Sequence, residues 1–178
     1  MQLTRFQPSH TETIKQLFTS VFSDNEGASE GKLIGNLTED VMTTTDAQDL
    51  DGFIAIKNNQ TIGCILLTRL SFESDINAFL LSPVAIHTKH QRQGIGQQLI
   101  HFGIRQLKEN GVSLLLTYGD PAFYTKVGFT PISEKVVKAP FELSQPEGWL
   151  AQSLVGGEVE AMAGKASCVA AFNNAELW

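Results

Sequence analysis

Polar and apolar residues alternate from Gln2 to Phe6, a period typical of a strand with one buried face. Pro8 then suits the first turn of a helix, because its fixed φ is already helical and that turn needs no amide donor. Apolar residues follow at helical spacing, and they are Ile14, Leu17, Phe18, Val21 and Phe22. The pattern therefore predicts a strand followed by a core-facing helix.

The next predicted elements are a polar break, a second helix and a loop. Residues 23–27 are polar and acidic, which interrupts the apolar pattern. Residues 38–48 are rich in Thr and Asp, which favours a loop. Between them a short helix is predicted to carry Glu30, Leu33, Ile34 and Leu37.

Three strand-like apolar runs follow, over residues 53–57, 61–67 and 78–86. The first two are separated by Asn58-Asn59-Gln60. Asn tolerates the left-handed backbone that tight turns need, so this break predicts a hairpin.

The second half of the chain begins with a long predicted helix. Residues 94–109 carry a broad apolar stripe, and Asn110-Gly111 is a typical left-handed end to such a helix. The remaining predictions are strands over 112–117 and 129–132, a helix from Pro121, and weak strands over 150–159 and 167–172. Together these elements predict one α/β domain with a mixed sheet over residues 1–178. Residues 1–133 would be its core and residues 134–178 an extension packed on it. Core cover is the default expectation for Trp149, Phe172 and Trp178 in this extension, and a dimer contact is the alternative.

Composition and charge narrow the function classes. The net charge of −6 and the absence of a Lys or Arg block argue against a nucleic-acid partner. No apolar run approaches the length of a membrane span, and the first residues lack the apolar core of a signal peptide, so a cytoplasmic location is expected. Cys64 and Cys168 have neither metal-ligand spacing nor a disulfide framework, so no metal is expected. The oligomeric state is open between monomer and homodimer.

A polar loop with two glycines joins the strand ending at Ile86 to the long helix. Amides at a helix start lack internal partners, the helix dipole adds positive character, and glycines let a phosphate approach the backbone. This pattern favours a pyrophosphate site. The two glycines by themselves are equally consistent with a turn that only starts a core helix. The chain has no G-K-[ST], so it is not a P-loop. A dinucleotide fold would need a small residue where Leu99 stands, but Asp120 lies where a ribose-binding acid would be and keeps that alternative open.

Two segments resemble motifs of the GNAT superfamily of N-acetyltransferases. Gln91, Gly94 and Gly96 match the family's Q/R-x-x-G-x-G/A motif, and residues 119–129 are similar to its second motif, which has an aromatic residue before Gly-Phe. The G-D-P-x-x-Y-x-x-x-G-F form of that segment resembles a bacterial branch of the superfamily. The resemblance covers about residues 1–133. It implies an α/β three-layer fold with a mixed, mostly antiparallel sheet, and acetyl transfer from acetyl-CoA to a primary amine.

The resemblance also implies roles for individual residues. The backbone of the strand end would pair with the pantetheine arm, the loop amides would hold the pyrophosphate, and Gln91 would position the loop. The expected cofactor-binding residues are Val84, Ala85, Ile86, Gln91, Arg92, Gln93, Gly94, Ile95, Gly96, Gln97 and Asp120. Asp120 is expected first to start a helix through capping. Many family members have Asn near the end of the strand that precedes Asp120, where this chain has Thr117.

The resemblance implies that Tyr124 is the general acid, because Tyr124 lies on the predicted short helix where the family's tyrosine lies. A phenol with a reference pKa of about 10 can protonate a departing thiolate at neutral pH. Packing of Tyr124 in the core is the alternative. No general base is evident. The resemblance implies that Glu26 lies in a segment that borders the acceptor site, so Glu26 is the candidate base. A partner of the helix dipole is the alternative role for an acidic residue near a helix start. A loop position favours solvation over proton relay for His87, and apolar neighbours favour a core role for Cys64.

Direct attack by the amine in a ternary complex is therefore expected rather than an acetyl-cysteine intermediate. The acceptor is open between a small molecule and a protein amine. A non-catalytic acyl-CoA-binding module is the alternative function, and a dinucleotide-binding oxidoreductase the more distant one.

Overall fold

The computed structural model describes all residues, 1–178, and forms one seven-stranded sheet in the order β1-β2-β3-β4-β5-β7-β6. β4 and β5 pair in parallel, whereas β1–β2, β5–β7 and β6–β7 are antiparallel. The strands are β1 (Gln2–Arg5), β2 (Leu50–Lys57), β3 (Gln60–Leu70), β4 (Ala78–Ile86), β5 (Leu114–Tyr118), β6 (Thr130–Pro131) and β7 (Trp149–Ser153). The helices are α1 (Thr11–Glu26), α2 (Ala28–Thr44), α3 (Ile95–Glu109) and α4 (Pro121–Tyr124). The predicted α/β fold with a mixed, mostly antiparallel sheet is confirmed.

The chain divides into two compact units that share β3, β4 and α3. One contains residues 1–66 and 83–103, and the other contains residues 67–82 and 104–178. The first unit therefore holds α1, α2 and the end of β4 with the loop that follows it. The second holds β5, α4 and the C-terminal residues.

The helical hairpin of the first unit differs from its predicted boundaries. α1 continues through the acidic residues to Glu26, and only Gly27, with φ of 100°, separates it from α2. α2 then continues to Thr44 through the stretch predicted as a loop. The hydroxyls of Thr38, Thr43 and Thr44 donate to carbonyls four residues earlier. These bonds satisfy the Thr hydroxyls within the helix, so the Thr side chains do not require a turn here. Burial of Thr38 and Val41 gives this end of α2 its packing.

Small residues make the contact between α1 and α2. A Cβ on Gly31 would lie 2.5 Å from the carbonyl oxygen of Thr19. A Cβ on Gly35 would lie 3.2 Å from the Cβ atom of Thr19. The buried residues of α2 are Gly31, Gly35, Thr38 and Val41, while Leu33 is 49% exposed. The second helix is thus confirmed, but the face that packs against α1 carries Gly31 and Gly35 rather than the predicted Leu33.

The predicted hairpin between β2 and β3 is confirmed. Asn58 and Asn59 have φ of 51° and 61°, and β3 begins at the next residue. Two consecutive left-handed residues match the twist of antiparallel strands, so Asn at both positions explains the tight turn.

The second unit buries the aromatic residues of the C-terminal segment. Trp149, Phe172 and Trp178 are all buried, as expected of residues that cover a core. The indole of Trp149 donates to the Val137 carbonyl at 2.9 Å, and that of Trp178 donates to the Phe172 carbonyl at 3.0 Å. The strand predicted over 167–172 is wrong, because this segment forms only one bridge, from Ser167 to Ser71, before a 3-10 turn at Ala170–Phe172.

Candidate functional site

The glycine loop of the first unit presents amides at the start of α3. A 3-10 turn at Thr88–His90 follows β4, and α3 begins at Ile95. The first bond of the helical ladder runs from the Gln98 amide to the Gly94 carbonyl at 3.0 Å. The amides of residues 95–97 therefore have no partner within the helix, and the helix dipole adds positive character there. This arrangement suits a phosphate or pyrophosphate group.

Left-handed backbone shapes this loop at two positions. Gly94 has φ of 75°, which glycine adopts without strain, and Arg92 has φ of 60°, which is uncommon for a residue with a side chain. A Cβ on Gly94 would meet only the Gln98 Nε2 atom, at 3.9 Å. The space outside Gly94 is therefore open, as the close approach of a ligand to the backbone requires.

Two side-chain amides hold the loop, one against the end of β4 and one within the loop itself. The Gln91 Nε2 atom donates to the Ile86 carbonyl at 3.0 Å, and the Gln93 Nε2 atom donates to the Lys89 carbonyl at 3.2 Å. Gln91 thus ties the loop to the end of β4. Within β4, Ala85 is buried, whereas the side chains of Val84 and Ile86 are half-buried.

The loop is also tied to α1, a connection that sequence reasoning did not find. The Thr88 hydroxyl donates to the Asp24 carboxylate at 2.6 Å, across 64 positions of sequence. Glu26 is the last residue of α1 and is exposed. It lies in the same unit as the start of the loop. A polar pair at such separation carries no sequence signal, because neither residue belongs to a motif.

Tyr124 lies in the second unit, buried to 9% exposure at the end of α4. The Asp120 carboxylate accepts from the Ala122 amide at 2.9 Å, which starts α4 as capping chemistry predicts. The Tyr124 ring meets Phe123 and Phe129 edge-on, at centroid distances of 5.1 and 5.7 Å. These contacts fix the direction of the ring.

Burial raises the pKa of Tyr124 above its ordinary value. A hydrogen bond with Thr117 lowers this pKa, and the nearby charge of Asp120 raises it, but burial has the largest effect. The phenol is therefore protonated at neutral pH, as a general acid must be.

Glycine at position 119 makes room for that ring. A Cβ on Gly119 would lie 2.7 Å from the Tyr124 Cε2 atom, closer than carbon atoms pack. The sequence offered one signal for this contact, because Gly119 lies inside the second motif, but only the fold shows what it touches.

Cys64 is fully buried, and desolvation raises the pKa of its thiol well above the ordinary value. A buried, protonated thiol is a poor nucleophile. No group of three or more His, Cys, Asp or Glu side chains is placed to hold a metal ion. No helix is both long and apolar enough to cross a membrane.

Comparison with known proteins agrees with this geometry. Residues 48–131 match the model of the acetyltransferase (GNAT) domain. Over these residues the chain is therefore similar to GNAT acetyltransferases. It is 27% identical over 152 residues to the uncharacterized N-acetyltransferase YjhQ of Escherichia coli K12, covering 82% of this chain and 80% of YjhQ. It is 31% identical over 106 residues to the uncharacterized N-acetyltransferase YhbS of the same strain, covering 58% of this chain and 60% of YhbS.

Solved GNAT structures share the fold. The E. coli YhbS structure, in complex with CoA, superposes with a TM-score of 0.78 at 23% identity, covering 97% of this chain and 92% of YhbS. A GNAT acetyltransferase from Brucella melitensis, in complex with acetyl-CoA, gives a TM-score of 0.74 at 21% identity, with 96% and 97% coverage. The dinucleotide alternative does not fit this fold, because an antiparallel pair and a tight hairpin precede the glycine loop and the Asp120 carboxylate caps α4.

Proposed function

We propose that this protein transfers an acetyl group from acetyl-CoA to a primary amine by direct attack. The observation that carries the proposal is the loop before α3, with unpaired amides at residues 95–97 and open space at Gly94. These amides would hold the pyrophosphate of CoA, with Gln91 keeping the loop in place. The family supports the acetyl donor, and CoA or acetyl-CoA is bound in the two solved relatives described above.

In this proposal two side chains of the protein transfer protons, Tyr124 as the donor and Glu26 as the acceptor. The amine nitrogen attacks the thioester carbon, the carbon–sulfur bond breaks, and Tyr124 gives its proton to the departing thiolate. Glu26 accepts the proton that the ammonium form of the acceptor must lose, directly or through water. The buried Cys64 thiol supports direct transfer without an acetyl-cysteine intermediate.

Calorimetric titration of the purified protein with acetyl-CoA tests the cofactor part of this proposal. We expect saturable binding of acetyl-CoA and no comparable binding of NADH or ATP, because the loop lacks the features of their sites. A folded protein that does not bind acetyl-CoA would refute the proposal. A screen of small amines and of peptides with a free N-terminus, read by release of the CoA thiol, then identifies the acceptor class.

Glu26→Gln tests the proposed base. Glu26 is the last residue of α1 and lies directly before Gly27, the N-cap of α2, where the dipole of α2 favours a carboxylate. A pH–rate profile separates a base from a residue that only stabilises the helix. We expect kcat/KM for the amine to fall about 100-fold at pH 7 and to recover as rising pH deprotonates the amine in solution. Glu12→Gln, in the first turn of the same helix, is the control and should retain activity. A Glu26→Gln enzyme with an unchanged pH–rate profile would exclude this role.

A further inference from the structure

The cofactor loop, residues 87–94 between β4 and α3, is shaped mostly by local bonds. The His90 amide donates to the His87 carbonyl at 2.7 Å, and the Gln91 amide donates to the Thr88 carbonyl at 3.3 Å. The side-chain amides of residues 91 and 93 donate to carbonyls five and four residues before them. These bonds set the shape of the turn, but they do not fix the loop against the helices of its unit.

The cofactor loop also carries backbone strain. Arg92 has φ of 60°, a left-handed conformation that is costly for a residue with a side chain. Gly94, two residues later, is left-handed as well. Strained backbone persists only where contacts from the surrounding structure hold it. The loop therefore needs a contact outside its own residues.

Thr88 makes such a contact with the helical hairpin. Its hydroxyl donates to the carboxylate of Asp24, in the last turn of α1, at 2.6 Å. Both residues belong to the same compact unit. One other hydrogen bond joins the cofactor loop to a distant part of the chain, from the His87 amide to the Ile62 carbonyl at 2.8 Å, and it continues the pairing of β4 with β3. The Thr88 hydroxyl is therefore the group that bonds the loop to α1.

The Asp24 carboxylate has the Thr88 hydroxyl as its one hydrogen-bond partner and forms no ion pair. A negative charge at this loop repels the phosphate groups of CoA rather than attracting them. The charge of Asp24 therefore does not favour cofactor binding. Its hydrogen bond does, if it keeps the loop in the conformation that binds.

We propose that Asp24 is a positioning residue that holds the cofactor loop in its binding conformation through the Thr88 hydroxyl. With this bond in place, the left-handed backbone of Arg92 and Gly94 is kept, and the amides of residues 95–97 are presented to the pyrophosphate. Without it, only a fraction of the molecules hold the loop in that form, and the apparent affinity for acetyl-CoA falls by that fraction. The inference rests on the proposed function, which assigns this loop to the pyrophosphate of CoA.

Thr88→Val, which keeps the shape of the side chain and removes the hydroxyl, tests the inference. We expect the dissociation constant for acetyl-CoA, measured by calorimetric titration, to rise about fivefold, the scale of one hydrogen bond at the surface. Thr88→Ser keeps the hydroxyl and should bind as tightly as the wild type. Thr11→Val is the matched control and should keep full affinity, because the Thr11 hydroxyl donates at the surface to the Pro8 carbonyl at 2.8 Å, away from the loop.

Two substitutions of Asp24 separate its hydrogen bond from its charge. Asp24→Asn keeps an oxygen that accepts from Thr88 and removes the charge, so its affinity for acetyl-CoA should stay close to that of the wild type. Asp24→Ala removes the acceptor and should bind about fivefold more weakly. Ala is a better helix former than Asp, so loss of α1 does not account for that weakening.

A double variant completes the test. In a Thr88→Val background, Asp24→Ala should cause no further loss of affinity, because the bond is already absent. Additive losses in the double variant, or equal affinities of Asp24→Asn and Asp24→Ala, would overturn the inference. Thermal unfolding of each variant establishes that the titrated protein is folded, and if one single variant does not fold, the other gives the same readout.

The same titrations separate failure of this inference from failure of the proposed function. A folded wild-type protein that does not bind acetyl-CoA would refute the proposed function and, with it, the role of Asp24. A wild type that binds acetyl-CoA, with Thr88→Val and Asp24→Ala binding it equally well, would refute only the positioning role.

Discussion

Replacing Tyr124 by Phe should lower kcat about 100-fold while leaving the affinity for acetyl-CoA unchanged. The substitution removes only the phenolic oxygen, so the ring keeps its contacts with Phe123 and Phe129. Without the phenol, the thiolate must leave without a proton from the enzyme. Steady-state turnover with an identified amine, together with calorimetric binding of acetyl-CoA, measures the two quantities separately.

Tyr118, the other tyrosine of the chain, provides the matched control. Its hydroxyl bonds to the Ser144 hydroxyl at 3.0 Å and accepts from the Gln145 amide at 2.8 Å. Tyr118→Phe should therefore lower the free energy of unfolding by about 1 kcal/mol and leave kcat unchanged. If Tyr124→Phe turns over as fast as the wild type, Tyr124 is a packing residue. A wild-type protein that binds acetyl-CoA but acetylates no amine would favour the non-catalytic binding module.

Gly94→Ala should weaken acetyl-CoA binding at least about tenfold, because the new Cβ enters the space where the pyrophosphate would approach the amides. Within the protein this Cβ has room, since the Gln98 side chain is its nearest neighbour at 3.9 Å. The left-handed backbone adds strain of about 1 kcal/mol. Calorimetric titration and thermal unfolding distinguish the two effects.

Gly111 is the control for backbone strain. Its φ of 74° is close to the 75° of Gly94, and a Cβ there would contact nothing within 4 Å. Gly111→Ala should lose similar stability and keep full affinity for acetyl-CoA. Equal loss of affinity in both variants would mean that strain rather than the loop is responsible. Normal binding by Gly94→Ala would show that the pyrophosphate does not lie against this glycine.

Elements controlled by local chemistry agree most closely with the sequence predictions. Asn58 and Asn59 adopt the left-handed turn that their residue type favours, and Gly111 ends α3 with positive φ as expected. The apolar stripe over 94–109 corresponds to α3. Each of these features depends on neighbours within about one turn of chain, so one sequence contains the information.

Boundaries that depend on packing were less predictable. The Thr-rich end of α2 looked like a loop, but its hydroxyls bond back to the helix and Thr38 is buried in the structure. Composition alone does not show which of these outcomes a threonine takes, because the same hydroxyl favours a turn or a helix according to what it packs against.

The sequence by itself determined the order of strands and helices as far as β7, the glycine loop and the motif residues Gln91, Gly94 and Tyr124. Only the tertiary structure decided which residues distant in sequence meet. Asp24 reaches Thr88 across 64 positions, and Thr117 reaches Leu81 across 36. Such partners are set by strand register and helix packing, which depend on the whole fold rather than on the residues beside them in sequence.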